Sequence, residues 1–329
     1  MNANVLDLDL PAEVAKISKR MVEIAGKLGR RGVVVAVSGG IDSTVSATLS
    51  VKAFGKERVF LLILPERDSS ARSAKLGKLL VDHLGTDHMV HDIAPTLEAI
   101  GCYKWRDDAI RVLFPEYDSS RGWKNKIVIS GGLNGGINYH KLVVETPEGK
   151  RDEKRIGVKE YLQIVAAQNF KQRIRKTMEY FHADRLNYAV VGTPNRLEYD
   201  QAFFVKNGDG SADIKPIAHL YKSQVYALAK HLGLPPELTG VRPTTDTFSL
   251  EQGQDEFYFA LPYEKMDLAL WAKNHDVPAA ELGAALGLTP AQAELVYKDI
   301  DAKRRAAKYL GARPQLIEPV AGVDFDVKY

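Results

Sequence analysis

The residues Ser38-Gly39-Gly40-Ile41-Asp42-Ser43 have the types and spacing of an anion cradle. The run Val33–Val37 before them is small, apolar and mostly β-branched, which predicts a buried strand. Two glycines permit a tight turn, and Asp42, Ser43 and Thr44 stand where a helix would begin. A strand, a glycine turn and a helix N-terminus together present unpaired N–H groups and the positive end of a helix dipole to an anion. Hydroxyls from Ser38 and Ser43 add donors for phosphate oxygens. Asp42 beside a phosphate calls for a cation between them, and Mg²⁺ suits hard oxygen ligands. The Walker loop is excluded because its lysine is missing, and the dinucleotide fingerprint because its glycine spacing is missing. An ordinary βα turn with an Asp or Ser cap fits the same six residues.

Further along, Gly192–Lys222 collects more chemistry. Glu198 is a candidate second Mg²⁺ ligand opposite Asp42. Lys206 and Lys222 are candidates to neutralise phosphate charge. Asp209 and Asp213 bracket Gly210, as a tight turn often requires. A helix expected over Lys159–Asp184 carries Asn169, Lys171, Arg173 and Arg175. Those cations form either a solvated basic face or a site for a phosphorylated substrate.

These residues need elements to hold them. Leu10–Gly29 has helical apolar spacing. Arg58–Leu64, His88–Ile93 and Tyr188–Val191 read as strands, and a helix capped by Ser69 or Ser70 runs to Leu84, where Gly85 stops it. Alternating strands and helices predict an α/β fold with a doubly wound parallel sheet, in which ligands sit beyond the carboxyl ends of the strands. Ser38–Ser43, Pro65–Ser70 and Gly192–Glu198 all fall at such ends. Residues 101–158 break the rhythm with aromatics, the glycine run Gly131–Gly136 and the turn Pro147-Glu148-Gly149, which read as a β-hairpin insertion and a second hairpin. It is either a surface elaboration or a substrate lid or subunit contact. Tyr221–Gly233, Tyr263–Lys273, Ala279–Leu286 and Thr289–Tyr309 read as helices. The expected organisation is an α/β domain over residues 1–260, interrupted at about 101–158, and a helical C-terminal region over 261–329.

Composition bounds the rest. The 329 residues are 45% hydrophobic, enough for a real core. With 45 basic and 42 acidic residues the net charge is +3, which gives no argument for nucleic acid or an anionic membrane. The start of the chain shows no secretory pattern, and no apolar stretch is long enough to span a bilayer. A single cysteine, Cys102, excludes an internal disulfide and a multi-cysteine metal site. A cytoplasmic enzyme is expected.

Taken together, these motifs resemble those of the ammonia-dependent NAD synthetase family within the ATP-pyrophosphatase superfamily. The resemblance rests on Ser-Gly-Gly-Ile-Asp-Ser and on an ordered series: Asn-x-Lys-x-Arg-x-Arg at 169–175, Gly-Thr-x-Asn-x-x-Glu at 192–198, Lys-x-Gly-Asp-Gly-x-Ala-Asp at 206–213, Leu-x-Lys at 220–222 and Pro-Thr-x-Asp at 243–246. It covers most of Val14–Leu270 outside the insertion. It implies that ATP adenylates the nicotinate carboxylate of deamido-NAD with release of pyrophosphate, and that ammonia then displaces AMP. By motif position Ser38, Gly39, Gly40, Asp42 and Ser43 would hold pyrophosphate, and Asp42 and Glu198 the Mg²⁺. Lys222 and Lys206 would act on the phosphates, Thr193 and Thr244 would contact ATP, and Asn169, Arg173, Asp209 and Asp213 would bind the second substrate. A homodimer is implied, with ammonia either free or supplied by a separate glutaminase. Because the insertion departs from the family pattern, the alternative is the same chemistry on another carboxylate, such as a sugar acid or a specialised metabolite.

Overall fold

Val33–Ala36 forms β1, flanked on both sides in a parallel four-stranded sheet of order β3-β2-β1-β7. Its partners are β2 (Val59–Ile63) and β7 (Ala189–Val191), with Val33 opposite Val59 on one side and Ala189 on the other. The outer strand β3 is Asp87–Val90. The computed structural model describes residues 3–130, 139–240, 248–253, 258–259 and 261–323.

Successive residues of β1 point to opposite faces, and both faces are covered, which is why the strand is apolar throughout. Val33 and Val35 pack with α1 (Leu10–Lys27), α2 (Ile41–Phe54) and α3 (Ala71–Leu84) through Met21, Leu49 and Leu80. Val34 packs the other way, with Leu97 of α4 (Ala94–Ala99), Cys102 and Tyr103 of α5 (Cys102–Arg111) and Ala183 of α6 (Val158–Leu186). The chain leaves β1 towards β2 on one side and reaches β7 on the other only much later. That reversal opens a crevice at the carboxyl end of β1.

The insertion contains a three-stranded antiparallel sheet: β4 (Lys124–Ser130), β5 (Tyr139–Glu145) and β6 (Arg151–Arg155). Ile127, Leu142 and Val144 make their own small core with Phe114, Tyr117, Ile164 and Phe248. The glycine run Gly131–Gly136 lies outside the described residues. Residues 102–111, expected within the inserted hairpins, are instead the helix α5. Cys102, Tyr103, Arg106, Ala109 and Ile110 are buried at helical spacing. The buried charge of Arg106 hides that face from an apolar pattern. The third strand ends at Val90, short of the expected Ile93, although His91 N and Ile93 N still donate to Ile63 O and Pro65 O at 2.9 and 3.0 Å, and Asp92 accepts from Ala94 N at 2.8 Å where α4 begins.

Beyond β7 come α7 (Arg196–Asp200), α8 (Lys222–His231) and α9 (Pro236–Thr239). Then α10 (Tyr263–Asn274), α11 (Ala279–Leu286) and α12 (Pro290–Leu310) pack on Leu197 and Tyr221 through Met266, Leu282 and Val296.

Candidate active site

A cavity of about 1470 Å³ opens at the carboxyl ends of β1, β2 and β7, walled by α6 and by the end of α12. Its floor is the loop between β1 and α2. Gly39 adopts φ +79°, and a Cβ there would lie 2.7 Å from the Ser73 carbonyl oxygen, so only glycine fits. Ser43 Oγ donates to Gly40 O at 3.0 Å and accepts from Ser38 N at 3.2 Å, which braces the turn. Gly40 is the N-cap of α2, and no side chain caps that end. The first-turn N–H groups therefore remain available to an anion in the cavity.

Asp42, in that first turn, is the centre of a partly buried constellation. Its Oδ2 accepts from Lys222 Nζ, and its Oδ1 accepts from Asn195 Nδ2 at 3.0 Å. Asn195 Oδ1 also accepts from Leu197 N at 2.9 Å and Glu198 N, while Glu198 Oε2 accepts from Asn195 N at 3.1 Å. This reciprocal cap starts α7 and orients the Glu198 carboxylate. Lys222 is the first residue of α8. Its N–H and that of Ser223 donate to the fully buried Asp267 of α10 at 3.1 and 2.7 Å. Burial alone would lower the Lys222 ammonium, but the Asp42 and Glu198 carboxylates outweigh it and hold it above its ordinary value.

Asn195 was not among the residues assigned to the site from sequence. Its signal is the Asn-x-x-Glu spacing, a capping box in which Asn replaces Ser or Thr.

Two carboxylates with hard oxygen donors fit Mg²⁺, which usually takes one or two carboxylates and completes its shell with water and phosphate. Among the described residues no group of three or more His, Cys, Asp or Glu could form a closed protein cage for a metal.

The remaining sequence candidates divide. Ser38, Gly39, Gly40, Ser43, Thr193, Asn169, Arg173 and Asp209 all line the cavity. Burial pushes the Asp209 carboxyl up, although it accepts from Val205 N at 2.7 Å. Lys206 lines the cavity with its charge engaged at the end of α12, whose Tyr309 and Leu310 line the cavity too. Its Nζ donates to the carbonyls of Tyr309 at 2.9 Å and Ala312 at 3.4 Å and lies 4.4 Å from the Tyr309 ring centre. Asp213 is not brought to the cavity. Its carboxylate accepts from Val190 N at 2.7 Å and Tyr180 Oη at 3.2 Å, which ties β7 to α6. Thr244 and the motif at 243–246 lie outside the described residues.

A second ionic cluster was not visible as such in the sequence. Lys171 Nζ, fully buried, sits 2.9 Å from Glu66 Oε1 and 2.7 Å from Asp68 Oδ2. Arg106 bonds Asp68 and Asp107, and Tyr103 Oη donates to Glu66 at 2.8 Å. Burial would raise Asp68, but Lys171 and Arg106 overcome it and hold the carboxyl low. The cluster pins the loop after β2 to α5 and α6. Beside Asp209, Lys176 and Glu179 form a buried pair at 2.7 Å, with burial raising the Glu179 carboxyl.

Comparison with known proteins places this arrangement. The family model described as NAD synthase matches residues 13–113 and 133–306. The NH(3)-dependent NAD(+) synthetase of Rhizobium meliloti (strain 1021) is 54% identical over 324 residues, covering 98% of this chain and 96% of that protein. The protein of the same name from Mesorhizobium japonicum is 55% identical over 314 residues, covering 95% and 98%. Among solved structures, an NH3-dependent NAD synthetase from Campylobacter jejuni superposes with a TM-score of 0.62 over 95% of this chain and all of that one. At 21% identity that likeness speaks for the fold.

Proposed function

This chain belongs to the NAD synthase family, and from that premise we propose that its cavity binds ATP and deamido-NAD together and makes NAD with ammonia. The observation that carries the reading is the Asp42–Lys222–Asn195–Glu198 constellation at the uncapped start of α2. At about 1470 Å³ the cavity exceeds the ~300–1,000 Å³ of an ordinary single-ligand pocket, as two nucleotide substrates require. The alignments with the Rhizobium and Mesorhizobium proteins run through the insertion, so it gives no reason to look for another carboxylate.

An unactivated carboxylate resists amines because oxide would have to leave. The nicotinate oxygen therefore attacks the α-phosphorus of ATP, the bond to the bridging oxygen breaks, and pyrophosphate departs. Ammonia next attacks the acyl carbon, AMP leaves with the bonding pair, and the nitrogen loses its extra proton. Negative charge gathers on the departing pyrophosphate. Ser38, Gly39, Gly40, Ser43 and the first-turn amides of α2 are placed to receive it, and Lys222 supplies a fixed cation beside them. Asp42 and Glu198 would hold Mg²⁺, which neutralises phosphate charge when bound. Thr193 contacts ATP in this reading. Lys206, now held by two carbonyls near the end of the chain, would meet a substrate phosphate through its remaining N–H or by leaving them. Asn169, Arg173 and Asp209 contact the dinucleotide.

We assign the chain to the cytoplasm. Among the described residues no helix is long and apolar enough to cross a membrane. We also divide it into an α/β domain (1–260) with its insertion and a helical C-terminal region. The family's usual homodimer has a candidate face in Val158 and Leu162, four residues apart on α6, and Trp105 of α5. They stand 76%, 57% and 47% exposed, and Gln163 Nε2 bonds Trp105 O. The decisive test is release of pyrophosphate and AMP from ATP, Mg²⁺ and ammonium, with and without deamido-NAD. Release that requires deamido-NAD and matches NAD formed supports the proposal, and release without it overturns it.

A further inference from the structure

We propose that Gln168 is the recognition residue of an adenine subsite, built where α6 passes the inserted sheet. The proposal rests on the reading of the cavity as a site for ATP and deamido-NAD. Gln168 lines the cavity and is only 6% exposed, yet neither its Oε1 nor its Nε2 has a hydrogen-bond partner among the described residues. A buried amide left unpaired on both sides is costly, so its persistence at a cavity wall points to a ligand that completes it.

The neighbours say what kind of ligand. Tyr161, Val165 and Gln168 fall at i, i+4 and i+7 on α6, and all three line the cavity. Trp123 and Phe248 line it too, and both pack with Tyr161 in the core of the inserted sheet. The amide therefore stands beside an aromatic and aliphatic wall, the surface on which a flat heterocycle packs.

Hydrogen-bond complementarity narrows the choice. The side-chain amide offers one donating and one accepting group. Phosphates and carboxylates only accept, so they would leave Oε1 unpaired. Adenine presents an amino donor next to a ring nitrogen acceptor, which an amide matches at two points. Trp123 lies in the stretch 114–132 that the family model leaves unmatched, so one wall of the subsite is supplied by the insertion. Both substrates carry adenine, and the experiment must separate them.

The test uses the full chain, as wild type and Gln168→Leu. Pyrophosphate release and equilibrium binding are measured with ATP and with its analogue lacking the 6-amino group. The same pair of measurements is made with deamido-NAD and its analogue altered at adenine alone. We expect wild type to prefer the natural base by about tenfold or more in one of the two arms, and Gln168→Leu to lose most of that preference. The arm in which preference collapses identifies the substrate. The thermal midpoint of Gln168→Leu should stay level or rise, since two unpaired polar atoms are removed, which separates lost recognition from lost folding. A preference unchanged by the substitution in both arms overturns the proposal. So does a substitution effect that is equal for both bases and vanishes with 2′-deoxy-ATP, which would assign the amide to a ribose hydroxyl. Absent turnover with preserved base preference in binding would overturn the functional reading and leave the subsite standing.

Discussion

At the scale of single residues, Asp42 and Lys222 carry most of the proposed chemistry and should be the most sensitive positions. Asp42→Asn keeps the shape and removes the charge that Mg²⁺ and Lys222 both require. Its pyrophosphate release should fall by about a hundredfold or more while its circular dichroism stays that of wild type. Lys222→Met should cost a similar factor. If either variant turns over within about tenfold of wild type, the phosphate end of the cavity has been misplaced. Asn195→Ala is a subtler probe. It removes a helix cap, for a loss of about 1 kcal/mol in chemical denaturation. It also frees Asp42 and Glu198 from their common partner. The Mg²⁺ concentration for half-maximal rate should therefore rise by more than a stability loss alone would move it.

At the scale of elements, the buried cluster of Lys171, Arg106, Glu66 and Asp68 holds the loop after β2 against two helices. Removing one charge from such a group leaves others buried without compensation. Asp68→Asn should therefore destabilise the protein by about 3 kcal/mol or more in urea titration. A stability within 1 kcal/mol of wild type would mean the cluster is not tightly formed. This scale also shows how far residue order can be read. The strand Val33–Ala36 and helix α2 were legible because an apolar run, two glycines and a polar helix start agree with one another. Helix α5 was not, because Arg106 and Asp107 lie on its buried side and are neutralised by residues distant in sequence. For Lys206 and Asp213 the motif named the residues but could not say where their side chains point. Lys206 turns to the end of α12, and Asp213 to β7. Gln168 gave no signal, since an amide without partners is a property of the packed structure alone.

At the scale of the whole molecule, α8 and α10 meet at Asp267, whose carboxyl is pushed up to about 6 from 3.8 by burial, against the opposing bonds from Ser223 and Lys222. Between those values the folded protein holds a proton that the unfolded chain releases. This group's contribution is therefore complete below about pH 4 and is lost as pH rises through about 6, a change of about 3 kcal/mol at most. Asp267→Asn should flatten the unfolding free energy across that window. An unchanged pH profile would show that Asp267 titrates normally.

The strand order has a consequence for synthesis. β1 emerges early, but one of its two neighbours, β7, follows the inserted sheet and all of α6. Until the ribosome has delivered Ala189–Val191, the nascent phosphate loop hangs from a sheet with an open edge. Parallel pairing across so long a loop is slow. Nucleotide can therefore assist only the last stage of folding, and a chain stalled before β7 should depend on chaperones to keep that edge from pairing with another chain.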